Sequence, residues 1–169
     1  MRSRATALAG SLLFLLVAPG TIAGYLPWLI SHWRFEQDFG LSPLLDAAGL
    51  MLIMLGLAGL LESFVRFAIK GLGTPAPIAP TKHLIVSGLY RHVRNPMYVS
   101  VVAIIIGQSL LFGQAGLLAY GALVWAGFHL FVLFYEEPVL RRRYGAEYDR
   151  FTRAVPRWLP RLRPWDGAS

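Results

Sequence analysis

Apolar residues in this chain gather into long unbroken runs divided by short polar clusters, without the alternation of a half-buried strand. Four runs stand out, at about residues 5–30, 44–69, 96–112 and 117–135. A hydrocarbon core ~30 Å thick takes about 20 residues of helix, so each run is close to one crossing. The pattern predicts an all-α, integral membrane four-helix bundle, a single membrane domain over residues 1–169. Only the turn around Gly113 to Gly116 separates the last two runs, which makes them a tight helical hairpin.

The first run opens "MRSRATALAGSLLFLLVAPGTIAG", with the charged start, apolar middle and small residues near Ala23 of a secretory signal. Its apolar character continues through Tyr25, Leu26, Trp28 and Leu29, which favours a retained span kinked at Pro19 and Gly20. Near the other end, Leu140, Tyr144, Tyr148, Phe151 and Val155 recur every three or four residues as one apolar stripe among arginines. That stripe predicts a helical C-terminal tail broken at Gly145. It either lies in the cytoplasmic membrane interface, with Trp158 and Trp165 at headgroup level, or docks on the ends of the spans.

Loop charge gives the expected orientation. Arg2 and Arg4 precede the first run without an acid, whereas the loop after it sets Arg34 against Glu36, Asp38 and Asp46. The second connection holds Arg66, Lys70, Lys82, Arg91 and Arg94 with no acid, and the tail holds eight arginines. The positive-inside rule then puts both termini and the second connection in the cytoplasm, with the spans expected in the plasma (inner) membrane.

Composition adds exclusions. With 56% hydrophobic and 15% charged residues, little sequence remains for a separate soluble domain. The absence of cysteine removes disulfides, thiol nucleophiles and thiolate metal sites. No two histidines have ligand spacing, so no metal is expected, and His32 and His129 read as an interfacial and a packing residue. The formal charge of +7 does not imply nucleic acid, because basic residues at the ends of apolar helices set topology and meet anionic membrane lipids. Gly71, Gly73 and Ala76 in "GLGTPAPIAP" have dinucleotide-loop spacing. They follow a membrane helix, however, and Pro75 and Pro77 block the helix a pyrophosphate would need, which leaves a bent linker. Glu62 stands one turn before Arg66 and reads as an i,i+4 pair at the membrane edge.

Concentrated polar chemistry remains in two places, "KHLIVSGLYRHVRNPMY" before the third run and "FYEEP" after the fourth. Because those runs form a hairpin, their outer ends meet, and Arg91, Arg94, Asn95 and Tyr98 can face Glu136 and Glu137. Taken singly, the arginines read as topology anchors, the glutamates as a solvated helix end, and Tyr90 and Tyr98 as an aromatic belt. Their co-occurrence in two separate segments is what points to a site.

These segments, continued by "EEPVLRRRYGAEYDRFTRAVPRWLP", resemble the integral membrane methyltransferases that include isoprenylcysteine carboxyl methyltransferase and the phospholipid methyltransferases. The matching pieces are Gly88 to Tyr90, Arg94 to Tyr98, Glu136 with Glu137, Gly145 to Tyr148, and Val155 with Pro156, over about the last 90 residues. The resemblance implies S-adenosyl-L-methionine as cofactor, bound at the cytoplasmic ends of the last two spans by elements over residues 82–98 and 136–160. It implies a lipophilic small-molecule or lipidated acceptor reached from the bilayer. By position, donor contacts fall on Lys82, His83, Leu84, Ile85, Val86, Tyr90, Asn95, Pro96, Met97, Tyr98 and Glu136, with Arg94, Glu136 and Glu137 as catalytic candidates. Asn95 stands where the family usually has a His, which removes a titratable group from that position.

The residue types suit that chemistry. An anion is needed for the donor's ammonium, a cation such as Arg91 or Arg94 for its carboxylate, and Tyr90 and Tyr98 for its rings. Proximity and exclusion of water dominate methyl transfer. A carboxylate acceptor needs no base, while an amine acceptor must be neutral, for which Glu137 or His92 is the nearest candidate. A membrane reductase would need more spans. A small four-helix transporter would need an ionisable residue at mid-bilayer, and the third and fourth runs carry none there. A non-catalytic membrane scaffold is the remaining alternative.

Overall fold

The computed structural model describes residues 13–35, 43–70 and 84–167. The expected linker at Gly71 to Pro80, Lys82 and His83, and the first residues of the first run lie outside them. The described secondary structure is helical throughout. Helix α1 is Leu13–Ser31, α2 is Pro43–Lys70, α3 is Pro96–Phe112, α4 is Ala115–Tyr144 and α5 is Ala146–Ala154. A short 3-10 turn covers Gly88–Arg91.

Three of these helices, α1, α2 as far as Arg66, and α4, are long and apolar enough to cross a membrane, with mean hydropathies of 1.8, 2.2 and 1.9. Helix α3 is apolar but 17 residues long. At about 1.5 Å per residue it reaches ~25 Å, the short limit of a crossing.

Both α1 and α4 contain one wide π turn, and each ends two residues before a proline. At Thr21–Tyr25 the Leu26 N–H bonds back to Thr21 O instead of Ile22 O. The Ile22 carbonyl so released accepts the Tyr120 hydroxyl at 2.8 Å. Pro27 has no N–H to offer Ala23 O, and Gln108 Nε2 donates to that carbonyl at 2.7 Å. The irregularity therefore sits at Thr21–Tyr25, and Pro19 and Gly20 lie within regular helix. At Val132–Glu136 the Glu137 N–H reaches Val132 O, just before Pro138. A π turn inserts one residue, which rotates everything after it by about 100° around the helix.

The chain divides into two compact units. One contains residues 16–60 and 97–128. Within it α2 and α3 approach backbone to backbone at Gly49 and Gly107, where a Cβ on either would stand 2.7 Å from the other's carbonyl oxygen. Trp33 Nε1 donates to Gln108 Oε1 at 3.1 Å, and Gln114 Nε2 donates to Arg34 O at 2.8 Å, so these polar side chains of an apolar unit each meet a partner.

The other unit contains residues 61–96 and 129–169 with the start of α1. Gly145, at φ 51° and ψ −125°, ends α4 and lets α5 turn back. The apolar stripe then closes into a core of Tyr148, Phe151 and Val155 packed by Leu84, Val86, Leu140, Tyr144 and Trp165. The tail packs on itself and on Leu84 and Val86, with the Trp165 ring 5.7 Å from that of Phe151.

Candidate functional site

The segment after α5 carries Pro156, Pro160 and Pro164, a spacing that rules out helix and leaves its backbone groups for other partners. They are found on the segment before α3. Arg94 N–H donates to Pro156 O, Arg161 N–H to His92 O, and Trp165 N–H to Arg91 O, each at 2.9 Å. Side chains repeat the pairing. Arg91 Nε donates to Trp165 O at 2.5 Å and Asn95 Nδ2 to Arg157 O at 3.2 Å. His92 Nδ1 donates to Arg161 O at 2.8 Å, a bond that places the ring proton on Nδ1 because a carbonyl only accepts. The tail is thus a strap laid along residues 91–95.

Under the strap lies a buried ion triad. Glu137, 7% exposed, accepts from Arg94 Nη1 at 2.9 Å and from Arg157 twice, Nε at 2.6 Å and Nη2 at 3.0 Å. The bidentate pair raises the Arg157 pKa. Arg94 also hydrogen-bonds the Tyr148 hydroxyl, yet burial, with the Glu137 charge second, pushes that phenol up to about 12. Arg94 is so enclosed that its Nε finds no partner among the described residues.

A second polar group surrounds Tyr90, which is buried. Burial raises its pKa most, the Glu136 charge next and that of Glu62 less, while a hydrogen bond with Ser63 opposes them. Glu62 forms the expected pair with Arg66, Nε to Oε1 at 2.7 Å. Gly88 lies directly on that pair at φ +59°, where a Cβ would overlap Glu62 Oε1 and stand 2.7 Å from Arg66 Nε. Only glycine suits both the space and the left-handed backbone.

Nine of the described residues expected at a site therefore share one unit: Leu84, Ile85, Val86, Tyr90, Arg94, Asn95, Pro96, Glu136 and Glu137. Leu84, Ile85 and Val86 are half-buried there, and Leu84 and Val86 pack on the Tyr148 core. Met97 and Tyr98 belong to the other unit, where Tyr98 stacks on Phe128 with ring centroids 4.5 Å apart. Lys82 and His83 lie outside the described residues. No local pattern singled out Arg157 as the partner of Glu137, because it is one arginine among eight in the tail. Nor did the i,i+4 pairing of Glu62 with Arg66 reveal that Gly88 would sit on it.

The family model described as phospholipid methyltransferase matches residues 45–147. No curated protein and no solved structure matches. The family match takes in Gly88, Arg94, the Glu136–Glu137 pair and all of α2 after its first two residues, and it stops before the strap. Since it covers more than half of the 169 residues, the chain belongs to the phospholipid methyltransferase family of integral membrane methyltransferases.

Proposed function

We propose that the protein transfers a methyl group from S-adenosyl-L-methionine to a lipophilic acceptor carried in the bilayer, with the donor held beside Tyr90 and Glu136. The observation that carries this reading is the 2.9 Å bond from Arg94 to Glu137, which ties the two motif segments together inside the family match. The residue chemistry fits such a donor. Ser87, 8% exposed, has a hydroxyl with no partner among the described residues, Tyr90 supplies a buried ring, and the Glu136 charge acts at the same place. When bound, the donor supplies an electrophilic methyl group on a sulfonium.

In this reading Tyr90 and Glu136 bind and orient the donor. Glu137 and Arg94 are positioning residues, because three guanidinium N–H bonds to Glu137 hold the strap against residues 91–95. The Asn95 amide, which bonds the Arg157 carbonyl, does the same work without titrating. His92 is the remaining candidate base for an amine acceptor. We further propose four crossings, α3 included, with both termini and the connection between α2 and α3 on the cytoplasmic side; the arginine distribution supports this. Incubating the protein in bilayers with methyl-labelled donor should move label into the organic-extractable fraction. Label confined to the aqueous phase, with every lipid class supplied, would rule the acceptor class out.

A further inference from the structure

The end of helix α2 carries Glu62 and Arg66, on which Gly88 lies so closely that a Cβ there would overlap Glu62 Oε1. Glu62 is half-paired. Its Oε1 accepts from Arg66 at 2.7 Å, whereas Oε2 is shielded from solvent and has no hydrogen-bond partner among the described residues. A carboxylate oxygen kept from water and left without a donor is unfavourable unless something supplies one. The side chain as a whole keeps 31% of its surface, so other atoms of Glu62 reach solvent while Oε2 does not.

The residue immediately before Gly88 has the same property. Ser87 is buried, extended at φ −152° and ψ 153°, and its Oγ also lacks a partner among the described residues. Gly88 brings this hydroxyl's backbone onto the Glu62–Arg66 pair, and the glycine's missing Cβ is what permits the approach. The Glu62–Arg66 pair, whose guanidinium side chain keeps 38% of its surface, is thus in contact with Gly88, the residue next in sequence to the Ser87 hydroxyl. The ligand chemistry they complement is a primary ammonium next to an anion. Ammonium hydrogens suit Glu62 Oε2, while the hydroxyl and the outer nitrogens of Arg66 suit a carboxylate.

We infer that Glu62, Ser87 and Arg66 form a subsite for the zwitterionic amino-acid end of the methyl donor, so that α2 contributes to donor recognition. This rests on the proposed methyltransferase function. An aminophospholipid headgroup presents similar chemistry and is the competing source.

Calorimetry on the full chain in nanodiscs separates these cases, using S-adenosylmethionine and 5′-methylthioadenosine, which keeps the nucleoside and lacks the amino-acid end. In Glu62→Gln and in Ser87→Ala, affinity for S-adenosylmethionine should fall about tenfold or more, the worth of one charge-assisted hydrogen bond. Affinity for methylthioadenosine should stay at the wild-type value, which also shows that the variants fold. Equal losses for both ligands, or no loss for either, overturn the subsite while wild-type binding keeps the function. Unchanged donor affinity with a raised requirement for phosphatidylethanolamine assigns the subsite to the headgroup and overturns the inference. A wild type that binds neither nucleoside overturns the function itself.

Discussion

Glu137 ties two distant parts of the chain together. It is buried, and both of its oxygens are saturated by guanidinium groups from two distant parts of the chain, Arg94 and Arg157. Removing its charge leaves two cations facing each other under the strap. Glu137→Gln should therefore lower unfolding stability by about 3 kcal/mol, and amide hydrogen exchange at Arg161 and Trp165 should accelerate before any other region. Unchanged exchange there would mean the triad does not hold the strap. Tyr148 offers a pH test. Its phenol, ordinarily near 10, sits at about 12 in the fold, so the neutral form is the one the folded state favours. Its contribution to stability is complete below about pH 10 and is lost as pH rises toward about 12. In ultraviolet titration, the difference between wild type and Tyr148→Phe should show a phenolate appearing near pH 12, and a midpoint near 10 would contradict its burial.

At the scale of elements, the two π turns explain positions that periodicity misplaces. The run at 117–135 reads as a helix ending before "EEP", but α4 passes through Glu136 and Pro138 and ends at Tyr144. The wide turn at Val132–Glu136 absorbs Pro138's missing N–H, and its rotation of about 100° precedes the point where Glu137 meets Arg94. The bounds of α2 and α3, the tight turn at Gly113, the break at Gly145 and the Tyr148–Phe151–Val155 stripe were legible, because each follows from local spacing or from glycine. The strap was not, since a proline-rich stretch has no period and its bonds run to residues 91–95 far back in the chain. The Gly49–Gly107 approach was also silent, because a glycine in an apolar run announces nothing until a second helix is placed on it. Gly107→Leu should cost about 1–3 kcal/mol by overpacking, read as a lower thermal midpoint in detergent, and an unchanged midpoint would contradict the close contact of α2 with α3.

The whole molecule is an integral membrane methyltransferase whose polar groups concentrate in one of its two units. The long helices are apolar, while Glu62 and Glu136 act electrostatically on Tyr90, and Arg94, Glu137 and Arg157 form the ion triad under the strap. That division matches a reaction between a charged donor and a lipophilic acceptor, which need opposite environments. The most direct test of this account is calorimetric titration of S-adenosylmethionine into the purified protein in lipid nanodiscs, wild type beside Glu136→Gln. The account predicts saturable micromolar binding by the wild type, weakened about tenfold in the variant at unchanged helix content. A folded wild type that takes up no donor would contradict it.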